Sequence, residues 1–304
     1  MKGAIEVLGL LLVLAAFGHA QADRAPNLTS LTSRGSIPGD AISPISPTEH
    51  VTEISFQSYN NLIIVRGSIG SIKDLNIILD TGTNPTTVSR HIAERLNLRG
   101  NSELQMTLDG MIEVQSVVLP RIQMGGLCAD SVPGVVQDLS FLNQKLGIAV
   151  GGIAGLDVLS RSNFTIDYQK RKILFGRLAA TTKSVPFDRR TEFLTVKAKI
   201  DGHEVQLVVD SGTPGLLIYR NRFEPSLERH HFDGALVETA SKTTRSKWFL
   251  ASSVSLGKEN LGRRSVVIAN SDHPGGDFDG LLGLVNLGFH RVTFDFKNSL
   301  LGWD

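Results

Sequence analysis

Apolar positions along the chain fall in short runs punctuated by Gly, Asn and Asp, the pattern of strands joined by turns. Two runs differ from the rest because each is unbroken and closes on an acid. Residues 76–83 read NIILDTGT and residues 206–213 read QLVVDSGT. A continuous apolar run ended by a glycine turn predicts a buried strand, with the Asp at its end and Gly82 or Gly212 allowing a sharp bend. A single Asp-Ser/Thr-Gly loop is usually only a turn. Here Asp80 and Asp210 stand 130 residues apart in matching contexts. Three further blocks repeat at one offset of 128. Gly152-Ile153-Ala154-Gly155 answers Gly280-Leu281-Leu282-Gly283, Thr165-Ile166-Asp167-Tyr168 answers Thr293-Phe294-Asp295-Phe296, and Ile173-Leu174-Phe175 answers Leu301-Gly302-Trp303. Register kept over three blocks predicts two homologous halves, each contributing one Asp.

The remaining pattern fills in both halves. Residues 54–57 and 62–70 read as strands around an Asn60-Asn61 turn, and 75–79 as the strand that delivers Asp80. The apolar positions Val88, Ile92, Ala93 and Leu96 predict a helix over 88–96. Residues 104–119 predict a hairpin turning at Asp109-Gly110, and 132–136 a further strand. A short helix is expected over 140–146. In the second half, strands over 194–200 and 204–209 flank Asp201-Gly202. A hairpin spans 235–256 with its turn near Ser241-Lys242, and strands follow at 265–269 and 292–296. The expected division is 51–180 for one lobe and 187–304 for the other, with a polar boundary between them. The expected fold class is mainly β, two pseudo-twofold lobes with a cleft between.

Composition narrows the context. A chain of 304 residues suffices for two domains, and 41% hydrophobic with 20% charged residues is ordinary for a globular protein. The net charge of +1 and the lack of a basic stripe argue against a nucleic-acid partner. Residues 1–22 read as a secretory signal: Lys2, an apolar core over 7–17, and a small-x-small site at Ala20-Gln21-Ala22. That core is too short to span a bilayer, so no stable membrane span is expected after its removal. Residues 23–50, rich in Ser, Pro and Thr, read as a linker or pro-segment. Cys128 is the only cysteine, which forbids an intramolecular disulfide and favours a bacterial periplasmic or secreted protein; it reads as a small buried residue.

Two carboxylates brought together by matching lobes cannot both ionise easily, so they hold one shared proton over a range of pH. Such a pair suits general acid–base hydrolysis of an amide. The paired Asp-Thr/Ser-Gly-Thr motifs, each followed by an apolar-apolar-Gly segment, resemble the aspartic proteases over about residues 51–304. DTGTNPTTVSRHIAERL resembles the retropepsin-like branch, while the two-lobed single chain is similar to the pepsin arrangement. The resemblance implies a catalytic pair, Asp80 and Asp210, supported by Thr81, Gly82, Thr83, Ser211, Gly212 and Thr213. Thr81 and Ser211 would cross-link the loops, Thr83 and Thr213 would donate to the outer carboxylate oxygens, and Gly155 and Gly283 would end strands beneath. The 104–119 hairpin would be a flap over the cleft, presenting Met106, Leu108, Asp109, Gly110 and Met111. It lacks the flap tyrosine of pepsin-like enzymes; its aliphatic residues resemble retropepsin-like flaps.

The resemblance implies a polypeptide substrate, no cofactor, no metal and a monomer that needs no partner for catalysis. Hydroxyl donors to both carboxylates lead to an expected acidic to mildly acidic optimum. Two rival readings remain at this stage. One is a catalytically inactive, aspartic-protease-like peptide-binding protein, against which stands the presence of both Asp residues. The other is a phosphotransferase, disfavoured because Asn84 and Pro214 stand where a phosphate loop would continue with Gly, Ser or Thr.

Overall fold

The computed structural model describes residues 9–11, 14–15, 51–59, 61–107, 110–176, 178–189, 192–222, 231–239, 242–270 and 278–304. These residues are mainly strand, arranged in three sheets. Each half builds the same core motif. In the first, Ile72–Leu79 lies parallel to Val150–Ala154. That strand pairs antiparallel with Thr86–Ser89, which pairs parallel with Leu127–Gln137. In the second, His203–Asp210, Gly280–Gly283, Leu216–Tyr219 and Glu259–Ala269 repeat that order and those directions. Ile77, Ile78, Leu79, Leu207, Val208 and Val209 are all buried, as expected of strands covered on both faces. The unbroken apolar runs are the sequence image of that double covering.

The halves meet in a third sheet of six strands. Phe164–Asp167 and Arg291–Asp295 pair antiparallel at its centre, with Thr165 opposite Thr293. Those two residues are repeat equivalents, so the pseudo-twofold axis passes between them. Their hydroxyls meet at 3.1 Å, and Phe164 stacks on Phe294 with ring centroids 4.5 Å apart. The polar boundary region contributes a strand of its own, Lys183–Pro186, paired with Leu300–Trp303. The largest hydrophobic cluster therefore runs through both lobes, and each lobe adds a smaller one of its own.

Several sequence expectations change in detail. The periodicity over 88–96 is part strand and part helix. Val88 is buried within Thr86–Ser89, and the helix runs Arg90–Arg95, capped by Ser89, whose Oγ accepts from the Ile92 N–H. Residues 54–57 are not one strand: Phe56 interrupts Thr52–Ser55 and Gln57–Tyr59 and is itself buried. Cys128 is exposed rather than buried, because strand alternation turns Leu127 and Ala129 inward and leaves it outside. Asp201 and Gly202 both have positive φ, 49° and 87°, as a tight hairpin turn requires. No described helix is long and apolar enough to cross a membrane.

The shared sheet makes the lobes mutually dependent. Phe294→Ala is expected to cost about 3–5 kcal/mol of unfolding free energy, measured by urea denaturation. A loss below about 1 kcal/mol would mean that the stacked pair on the axis does not join the lobes.

Candidate active site

Each Asp stands where a buried strand gives way to a tight turn, and each turn holds its own carboxylate. In the first loop the Gly82 N–H donates to Asp80 Oδ1 at 2.9 Å and Thr83 Oγ1 to Asp80 Oδ2 at 2.7 Å. In the second, the Gly212 and Thr213 N–H groups donate to Asp210 Oδ1 at 2.7 and 3.0 Å, and Thr213 Oγ1 donates to Oδ2 at 2.6 Å. The same residue types at the same spacing yield the same cradle twice.

The loops are also tied to one another. Thr81 Oγ1 donates to the Val209 carbonyl at 2.8 Å and accepts from the Ser211 N–H at 3.0 Å. Ser211 Oγ reciprocates, donating to the Leu79 carbonyl and accepting from the Thr81 N–H. The glycines set the separation. A Cβ on Gly82 would lie 2.5 Å from Asp210 Cγ, and one on Gly212 would lie 2.9 Å from Asp80 Cγ. Each carboxylate thus packs against the backbone of the opposite loop, where no other residue type fits.

Both Asp side chains are fully buried. Burial pushes the Asp80 carboxyl well above the ordinary carboxylate range, and the charge of Asp210 pushes it further; the bonds from Thr83 and Gly82 pull the other way. Asp210 is likewise raised by burial, against the lowering bonds from Thr213 and Gly212. The hydroxyl donors anticipated from sequence are in place, but desolvation outweighs them. The pair retains a proton at pH values where a free Asp is ionised. Burial, then the charge of Asp210, also keeps the Tyr168 and Tyr219 hydroxyls protonated.

A buried brace that sequence reading passed over supports the first loop. Asp157 Oδ1 accepts from both the N–H and the hydroxyl of Thr86, at 3.1 and 2.7 Å, and Thr86 Oγ1 accepts from the Gly155 N–H at 3.0 Å. The available signal was an acid two residues after the repeated glycine segment, where the second half has Val285. Gly155 and Gly283 do lie under the loops, each close enough to Thr83 or Thr213 to exclude a side chain. The hairpin at 101–124 is present, but its register pairs Gly110 with Thr107, so Gly110 belongs to the strand. Leu108 and Asp109 lie outside the described residues. Met106 and Met111 are register partners in the backbone ladder. Gln105, on the same strand, is buried with neither amide atom bonded among the described residues. No cluster of His, Cys, Asp and Glu suited to a metal occurs among the described residues.

Raised carboxyls make stability pH-dependent. Well below pH 3.8, the ordinary Asp value, Asp80 is protonated whether folded or not. Above it the unfolded chain releases a proton that the buried pair retains, so folding stability falls as pH rises towards the raised value. Asp80→Asn is therefore expected to raise the melting temperature at pH 7 and to change it much less at pH 3. A gain that is equal at both pH values would rule out the raised carboxyl as its source.

Two comparisons bear on this geometry. A family profile described as aspartyl protease matches residues 65–158 and again 196–285, more than half of the chain. No curated protein matches it. Each matched segment contains one complete copy of the strand, Asp loop and glycine segment, so the repeat read from the sequence and the repeat in the fold coincide with the family's own unit. The chain belongs to the aspartyl protease family.

Proposed function

We propose that the protein is an aspartic endopeptidase and that Asp80 and Asp210 activate the attacking water between them. One observation carries the reading: two fully buried carboxylates, each held by its own hydroxyl and packed against the other loop's glycine. The pair, sharing one proton, offers a base and an acid at once. The ionised carboxylate takes a proton from water as the oxygen attacks the scissile carbonyl carbon, and the protonated one gives its proton to the carbonyl oxygen. Collapse of the tetrahedral diol breaks the C–N bond: the proton taken from water passes to the leaving nitrogen, and one diol hydroxyl returns its proton to the carboxylate that had given it, which restores the pair. No covalent enzyme intermediate forms. Thr83 and Thr213 orient the carboxylates, while Thr81 and Ser211 fix the distance between loops. The 101–124 hairpin is the flap. Both carboxylates come from one chain, so a monomer suffices. We read residues 1–22 as an export leader and place the protein in the bacterial periplasm or outside the cell.

The test is cleavage of denatured casein from pH 3 to 8. Asp80→Asn and Asp210→Asn should each reduce the rate by about 10²–10⁴-fold, the range for loss of a positioned acid or base. Gly82→Ala should cost about 10²-fold by displacing Asp210 on the order of 1 Å, without touching an ionisable group. Wild-type activity should fall once pH exceeds the pair's raised value. A folded wild-type chain that cuts nothing across this range would instead favour an inactive peptide-binding protein.

A further inference from the structure

The Asp80 loop is fixed at two points outside its own cradle. The Asp80 N–H donates to the Ala154 carbonyl at 3.0 Å. The Thr83 carbonyl packs on Gly155, where an added Cβ would lie 2.5 Å from its oxygen. Ala154 and Gly155 therefore hold both ends of the turn that carries the carboxylate. Gly155 is held in turn by Thr86, whose Oγ1 accepts from its N–H. Thr86 is held by Asp157, whose Oδ1 accepts from both its N–H and its hydroxyl. Asp157 is anchored because Leu156, Val158 and Leu159 around it are buried in the core.

The second lobe is built without this chain of bonds. The repeat places Leu216 where the first lobe has Thr86, and Val285 where it has Asp157. There the Gly283 N–H donates to the Gly215 carbonyl at 2.9 Å. An apolar pair thus accompanies the same backbone in the second lobe, so folding alone does not account for the polar pair in the first. Replacing both partners of a buried bond by apolar groups of the same shape is nearly neutral for stability. What directional bonds add is a fixed distance and angle. Only Oδ1 of Asp157 is used, since Oδ2 is buried with no partner among the described residues. The side chain serves as an acceptor rather than as a charge. Burial pushes its carboxyl up, against the lowering bonds from Thr86, which also favours an uncharged acceptor. An amide oxygen offers the same acceptor.

We propose that Asp157 is a positioning residue: through Thr86 and Gly155, its Oδ1 sets where Asp80 stands relative to Asp210, a role that Val285 and Leu216 do not perform for Asp210. It acts on the reacting atoms only through other residues, and its kinetic effect rests on the endopeptidase reading above.

The test compares Asp157→Val, which installs the second lobe's residue, with Asp157→Asn, both in the full-length chain. The substrate is a peptide spanning a casein bond that the wild type cuts. Asp157→Val is expected to lower kcat by about tenfold or more with KM unchanged, since a misplacement on the order of 1 Å costs about 10²-fold. Asp157→Asn should recover most of that loss. Thr86→Val, which removes the hydroxyl and keeps the shape, should reproduce the loss, and adding Asp157→Val to it should cost little more, because the two act as one unit. Thr86→Val decides the matter if Asp157→Val does not fold. Equal losses in Asp157→Val and Asp157→Asn, or no loss in any variant, overturn the proposal.

A second readout needs no cleavage. The bonds from Thr83 and Gly82 lower the Asp80 carboxyl, so a loop that drifts from its place should move the titration of the pair to higher pH. Carbon NMR of labelled Asp carboxyls should show a higher value in Asp157→Val than in Asp157→Asn, two variants that remove the same carboxyl. Where the wild type cuts, the kinetics decide. Where it cuts nothing, the endopeptidase reading falls and the titration decides: a higher value in Asp157→Val upholds the positioning of Asp80, and coincident curves overturn it.

Discussion

Two carboxylates held in contact with each other's backbone, out of water, constrain everything else in this molecule. Neither a buried charge nor a close pair of like charges is stable by itself. The fold answers with donors that converge on the carboxylate oxygens from each loop, and with a network that fixes one loop to the other. The network is reciprocal, since Thr81 and Ser211 each give and receive a bond across the interface. Breaking one strand of it would leave buried polar groups on both sides, so its members are stabilised together.

That arrangement needs two loops of the same shape facing each other, and a repeated lobe is an economical way to obtain them. The sheet at the axis makes the repetition rigid. Because Thr165 is opposite its own equivalent, any shift of register there would displace one Asp loop relative to the other. The symmetry is not complete. Asp157 and Thr86 brace the first loop, whereas the position corresponding to Thr86 in the second is Leu216, buried among apolar neighbours. One loop is thus held by a polar brace and the other by packing, which gives the two carboxylates different surroundings even though their cradles match.

The repeat, the buried strands and both Asp loops were legible because their cause is local: double covering demands an unbroken apolar run, and a sharp turn demands glycine. Features set by tertiary context were not. The apolar positions of 88–96 fit a helical face, but Val88 belongs to a strand because it pairs with Val136 of Leu127–Gln137, a partner 136 − 88 = 48 residues away and invisible to periodicity. Cys128 reads as buried by residue type and is exposed by its place in an alternating strand. The bonds of Asp157 depend on a residue 71 positions earlier.

A hairpin beside a cleft has an open edge, and an open edge invites another strand. Most proteins blunt such edges; Asn101–Thr107 and His231–Thr239 are the corresponding hairpin strands of the two lobes. Because the axis relates them, they offer opposite senses to whatever lies between, and a straight chain can satisfy both at once only by crossing the axis. The axis also relates the two carboxylates. On the endopeptidase reading proposed above, a straight chain that paired with both edges would also cross the axis at the Asp pair. One symmetry element thus relates the two carboxylates and the two hairpins, so that a repeat of the lobe supplies both pairs at once.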